Sequence, residues 1–133
     1  MSRRRRSALS GEKLPILDAW PGLLATGQLI EASDMSERFG ISELALNRAI
    51  ARNRLFDLEY AGKRYVPAFY ADGRHVRSQL EAVTRTLGSI PGGSKWQFYT
   101  NPLGSLSGRT PLKALLDGDF AKVRVAAAAF ASI

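Results

Sequence analysis

Residues 32–70 read ASDMSERFGISELALNRAIARNRLFDLEYAGKRYVPAFY, and this stretch decides the fold. Ser33 is a hydroxyl residue of the kind that caps a helix, and Asp34 and Glu37 behind it place negative charge on the exposed amides of a first turn. That helix is expected to stop at Gly40. Ser42 is placed to cap a second helix running from Glu43 to about Asn53, which leaves Gly40, Ile41 and Ser42 as a turn of helix-turn-helix length. Met35, Phe39, Ile41, Leu46 and Ile50 then fall on inward positions, because Leu46 and Ile50 stand one helical turn apart and Ile41 closes the corner. Beyond the second helix, Phe56, Leu58 and Tyr60 alternate with Asp57 and Glu59, and Tyr65, Val66 and Pro67 return after Ala61 and Gly62. This pattern predicts a two-stranded hairpin with Lys63 and Arg64 at its tip.

The outward face of the second helix is left to Glu43, Leu44, Asn47, Arg48, Ala51 and Arg52. Such a helix fits a DNA major groove, where arginine pairs with guanine, asparagine with adenine and glutamate with the cytosine amino group. By residue type Arg48, Asn47 and Glu43 are the candidates for those three contacts. A helix, a turn, a second helix and a hairpin make a winged helix-turn-helix, and double-stranded DNA is the expected partner. The segment resembles the winged helix-turn-helix of the MerR and excisionase-like families. Position by position, that resemblance implies that Glu43, Leu44, Asn47, Arg48 and Arg52 face the groove, while Lys63 and Arg64 reach a phosphate or the minor groove.

The chain has 133 residues and a formal net charge of +7, with 19 Lys and Arg against 12 Asp and Glu. Four of those positive charges are the run Arg3, Arg4, Arg5 and Arg6, so the rest of the chain carries only +3. A basic arm beside a helix-turn-helix can enter a minor groove or screen phosphates, and each such contact steepens the salt dependence of binding. The same run is equally readable as a solvated terminus with no dedicated role. No hydrophobic run follows Arg6 that would make a signal peptide, and no apolar stretch approaches the roughly 20 residues that span a bilayer. The chain has no cysteine, which excludes disulfides and thiolate metal sites and agrees with a reducing cytoplasm. A soluble, cytoplasmic protein without a membrane partner is expected.

Outside the central stretch, residues 14–25 predict a short helix or two turns broken by Pro15, Pro21 and Gly22, and Leu29 and Ile30 a short strand. Val76, Leu80, Val83 and Leu87 form one apolar stripe on a helix over 74–87, with Gly88 as its C-cap. Residues 90–94, rich in Pro and Gly, read as a loop joining two halves. Thr110 can cap a helix that begins at Pro111 and runs to Asp117, before Gly118; Asp119 is then expected to cap a last helix carrying Phe120, Val123, Ala127 and Phe130. The expected fold class is α+β and mostly helical. Its parts are a basic disordered tail over 1–12, a winged helix-turn-helix DNA-binding domain over 13–72 and a helical partner-binding domain over 73–133.

Trp96, Asn101, Pro102, Leu106, Gly108, Arg109, Thr110, Pro111, Leu112 and Gly118 occur in an order that resembles the C-terminal toxin-binding domain of the Xre/MbcA/ParS antitoxin family. Ser107 stands where that family usually has glycine. The resemblance covers about residues 94–133 and implies a cognate toxin as partner, usually an NAD-consuming RES-domain enzyme, with Trp96 and Arg109 as partner-binding residues. Read from physical chemistry alone, Gly108 permits an unusual backbone angle, Thr110 and Pro111 start a helix, and Arg109 is free to bond loop carbonyls or a partner's acidic group.

Catalysis is not expected. His75 is the only histidine, no cysteine nucleophile exists, and residues 92–95 lack the full phosphate-loop pattern. Asp117 and Asp119 flank a helix junction where capping explains them, so neither metal nor cofactor is expected. The sequence thus points to a sequence-specific transcriptional regulator, an antitoxin-like autorepressor acting as a homodimer. The alternative is a protein-interaction adaptor whose helix-turn-helix is structural and whose C-terminal helical half binds a partner protein.

Overall fold

The computed structural model describes residues 15–132, with side chains from Trp20 onward. The arginine run over 3–6 lies outside the described residues. Within them the chain is mostly helical, with seven α-helices and one small antiparallel sheet. Helix α1 (Pro15–Ala25) leads into strand β1 (Leu29–Glu31), then α2 (Ala32–Phe39), α3 (Glu43–Ala51) and the hairpin of β2 (Leu58–Tyr60) and β3 (Lys63–Pro67). After a 3-10 turn at Ala68–Ala71 come α4 (Arg77–Leu87), α5 (Gly92–Thr100), α6 (Pro111–Leu116) and α7 (Phe120–Ala131).

The sheet order is β1-β3-β2, so β3 is central and pairs Ile30 with Val66 on one side and Leu58 with Tyr65 on the other. Ala61 (φ 53°) and Gly62 (φ 79°) both take positive φ, the backbone that a two-residue hairpin turn demands if the strands are to keep their twist. Trp20 of α1 stacks on Tyr60 at 4.7 Å between ring centroids and meets Tyr65 edge-on at 5.8 Å, fixing α1 across the hairpin.

Several local expectations are corrected. Helix α2 starts at Ala32, not after Ser33, because Glu31 still pairs with Tyr65 in the sheet and the chain turns from strand to helix without a side-chain cap. Gly40 ends that helix in the left-handed conformation, and Ser42 caps α3 by accepting the amide of Ala45 at 3.0 Å. Helix α3 stops at Ala51, short of Asn53, and Ile41 is exposed instead of closing the corner. Helix α4 begins at Arg77: the amide of His75 bonds the Asp72 carbonyl and the amide of Arg74 the Asp72 carboxylate, which holds this segment in a turn and leaves Val76 exposed. Residues 92–94 are helical, not loop. Gly92 opens α5 against the backbone carbonyl of Asp57, where a Cβ would collide, so its glycine is a requirement of close packing. Helix α6 ends at Leu116, one residue before the expected Asp117.

One hydrophobic cluster runs from Trp20 to Ala127 and includes residues from both expected halves. At its centre Phe56 and Phe69, from the hairpin side, pack on Tyr99 of α5 at 6.0 and 4.8 Å, and Phe69 lies against Trp96 at 6.1 Å. Inside this cluster the hydroxyls of Tyr70, Thr84 and Tyr99 form a buried chain, with distances of 2.5 and 2.8 Å, and Tyr99 donates onward to the Leu80 carbonyl at 2.9 Å. Burial pushes both phenols upward in pKa, so they stay neutral donors throughout the physiological range.

Thr84→Val removes the shared hydroxyl and leaves Tyr70 without its partner, at an expected cost of about 1–3 kcal/mol in urea unfolding. Adding Tyr70→Phe to that variant is expected to recover part of the loss, since the orphaned group is then gone.

Candidate nucleic-acid interface

The residues expected to face outward on α3 do so: Glu43, Leu44, Asn47, Arg48 and Ala51 are exposed on the helix and Arg52 on its C-cap. This follows from the opposite face, where Leu46 and Ala49 are buried and anchor α3 in the core. Leu44 is 59% exposed, the most exposed large apolar side chain on this face. Arg48 and Arg52, one turn apart, make no salt bridge within the described residues.

The hairpin lies beside the start of α3, and its two basic residues are held there. Lys63 pairs with Glu31 of the neighbouring strand at 3.3 Å. Arg64 donates one guanidinium nitrogen to Asp57 at 3.1 Å and another to the Asn47 side-chain oxygen at 2.7 Å. Asp57, Arg64 and Asn47 therefore form a bridge from β2's approach across β3 to α3. Glu43 joins them at a shallow hollow lined also by Glu31, Lys63 and Arg64. The structure thus brings Glu43, Asn47, Lys63 and Arg64 together and leaves Leu44, Arg48 and Arg52 on the open part of the same helix face. The bridge through Arg64 was not expected from sequence. Its signal is Asp57, whose strand position lies near that of Arg64 once the Glu59–Arg64 register is known.

This face is not strongly basic. Residues 29–71 contain six acidic and six basic side chains and carry no net charge. The positive excess lies elsewhere, in the arginine run and in residues 72–132.

The two expected partner-binding residues occupy different settings. Trp96 is buried, 7% exposed, in the aromatic cluster, and it lines a cleft between the hairpin root and α6. Arg109 is half-buried and fully engaged. Its Nε donates to the Leu106 carbonyl at 2.9 Å, and its two terminal nitrogens pair with Asp117 at 3.2 Å and Asp119 at 2.7 Å. Asp119 stands at the N-cap position of α7 but makes no side-chain cap, because its carboxylate is turned to Arg109. Thr110 does cap α6, accepting the Lys113 amide at 3.1 Å with Pro111 in the first turn. Just before it, Ser107 (φ 59°) and Gly108 (φ 80°) are both left-handed, so Ser107 adopts a conformation that glycine takes more readily.

Charged groups at the helix junction are set by their neighbours. Hydrogen bonds from the Arg74 side chain and amide hold the Asp72 carboxyl down to about 2, while burial lowers the pKa of His75. Burial likewise lowers that of Lys95, whose ammonium donates to Asn53 at 3.3 Å. Among the described residues no group of three or more His, Asp or Glu is gathered to hold a metal ion, and no helix is long and apolar enough to cross a membrane. No known protein family, curated protein or solved structure matches the chain.

Because the folded pKa of Asp72 lies below its unfolded value of 3.8, its stabilising contribution is complete above about pH 4 and fades as pH falls toward about 2. The stability difference between the native chain and Asp72→Asn, measured by urea unfolding, is expected to shrink as pH falls from about 4 to about 2.

Proposed function

We propose that the chain is a winged helix-turn-helix transcriptional regulator that binds double-stranded DNA through α3, in the manner of an antitoxin-like autorepressor. The observation that carries this reading is the row Leu44, Asn47, Arg48 and Arg52, exposed on the second helix of a tight helix pair with a hairpin beside it. Among the described residues Arg48 and Arg52 have no ion pair to lose on reaching a base edge or a phosphate. Arg64 supports the row by holding Asn47 to the hairpin. A homodimer would present two such helices to a two-fold site, since one helix of nine residues buries little surface alone. The arginine run would add phosphate contacts without sequence information.

The antitoxin part of the reading is supported by the C-terminal resemblance and by the local logic of its motif. Arg109 ties the 103–109 loop to the α6–α7 junction, so the motif builds a rigid edge on which a toxin partner would dock. A second reading, a protein-interaction adaptor, is favoured by one observation: the neutral charge of residues 29–71 supplies little of the nonspecific attraction on which DNA binding usually draws.

Fluorescence anisotropy of the full chain on the DNA upstream of its own gene, against scrambled DNA, separates the two. The expected result is tighter binding to the upstream fragment and a loss of about 100-fold or more on changing Asn47, Arg48 and Arg52 together to Ala, at about 1–3 kcal/mol per good base contact, with the thermal midpoint retained. Unchanged affinity in that variant, or equal and steeply salt-dependent binding to both DNAs, supports the adaptor reading instead.

A further inference from the structure

A cleft of about 430 Å³ lies where the hairpin root meets the C-terminal helices, on the side of the molecule built by the 68–75 segment, α5 and α6. The volume falls within the range of small-ligand sites. Its lining includes two aromatic side chains, Phe69 and Trp96, largely buried and near-parallel, 16° between ring planes and 6.1 Å between centroids. Leu112 and Leu116 of α6 line it as well, the latter 38% exposed although large and apolar. A flat ring entering among these side chains covers apolar surface that the fold itself leaves open.

The rim is charged in a definite sense. Arg74 and Lys113 line it with one positive charge each, and Asp72 with one negative charge. His75 also lines it; burial disfavours its protonation, and its Nδ1 has no hydrogen-bond partner within the described residues. The lining therefore carries a net charge of +1 near neutral pH. Both cations can turn to a ligand cheaply. Lys113 pairs with Asp117 at 3.0 Å in an exposed contact, and Asp117 keeps Arg109 if Lys113 leaves. Arg74 uses Nε and one terminal nitrogen on Asp72, so its other terminal nitrogen has hydrogens to donate.

The geometry points to a binding site for a small planar aromatic monocarboxylate, its ring among Phe69, Trp96 and α6 and its carboxylate at Lys113 and Arg74. Thr100 supplies a hydroxyl on the same lining: it donates to the Trp96 carbonyl at 2.7 Å and keeps its lone pairs for a ligand donor. The site touches both roots of the sheet, since Gln28 before β1 and Ala68 after β3 line it and are joined by a hydrogen bond of 2.9 Å. It stands independently of whether α3 reads DNA.

The test is a titration of the 15N-labelled full chain with indole-3-carboxylate, followed through amide and tryptophan side-chain N–H shifts. Expected are saturable shifts at Phe69, Trp96, Thr100, Leu112 and Lys113 with a Kd below about 1 mM, and binding of uncharged indole weaker by about 10-fold or more. Lys113→Gln, an exposed position, is expected to weaken the carboxylate by about 10-fold and leave indole unchanged; Leu116→Glu, also at the rim, is expected to weaken the carboxylate by as much through repulsion. Absence of saturable shifts at these residues up to about 10 mM, shifts centred elsewhere, or equal affinity for indole and its carboxylate overturns the assignment. No DNA enters the measurement, so a failure here and a failure of the DNA reading are separate results.

Discussion

Everything in this chain is referred to the contact between the hairpin root and α4–α5, where Phe56, Phe69 and Tyr70 meet Thr84, Trp96 and Tyr99. The rings supply the bulk of the apolar burial at this point, at roughly 1.5–3 kcal/mol for each fully buried large side chain, and the three hydroxyls give it direction. A purely apolar contact could slide; a Tyr–Thr–Tyr chain ending on the Leu80 carbonyl has one register. That register sets how the sheet stands against the C-terminal helices and, through Gly92 against Asp57, where β2 begins. Helix α3 joins the same core through Leu46 and Ala49, which turns its opposite face outward.

The electrostatics follow a similar economy. On the hairpin both basic residues have an acidic neighbour, Lys63 with Glu31 and Arg64 with Asp57, and at the α6–α7 corner Arg109 has two aspartates. Exposed pairs of this kind contribute little stability, so their main effect is to orient side chains and to cancel long-range attraction. Arg48 and Arg52 point outward on α3 and make no salt bridge among the described residues. On the proposed reading, DNA recognition by this face would depend on short-range contacts at base edges and leave the general attraction to other parts of the chain.

Much of the central fold was legible in the sequence because its signals are local. Gly40, the Ser42 cap, the Ala61–Gly62 turn, the Gly88 terminus and the Thr110–Pro111 start each act within four or five residues, and each appears where expected. The failures are tertiary. Ser33 is a good cap by type, but strand pairing of Glu31 carries the chain straight into α2 at Ala32. Val76 fits the apolar stripe of α4, yet the Asp72 turn holds it outside the helix. Gly92 reads as loop because its reason, close approach to Asp57, lies 35 residues upstream and cannot be seen in a window. At the candidate site the outward row on α3 was legible from periodicity, whereas the Arg64 bridge and the occupation of Arg109 needed the register of the hairpin and the closure of the α6–α7 corner.

The most direct test of the account is to map the DNA contact itself, by amide shifts of the labelled full chain on a duplex from its own upstream region. The account predicts perturbations concentrated on Glu43 to Arg52 and on the hairpin at Lys63 and Arg64, with α7 little affected. Perturbations confined to the residues before Pro15, or spread over α6 and α7 with α3 unmoved, would contradict it.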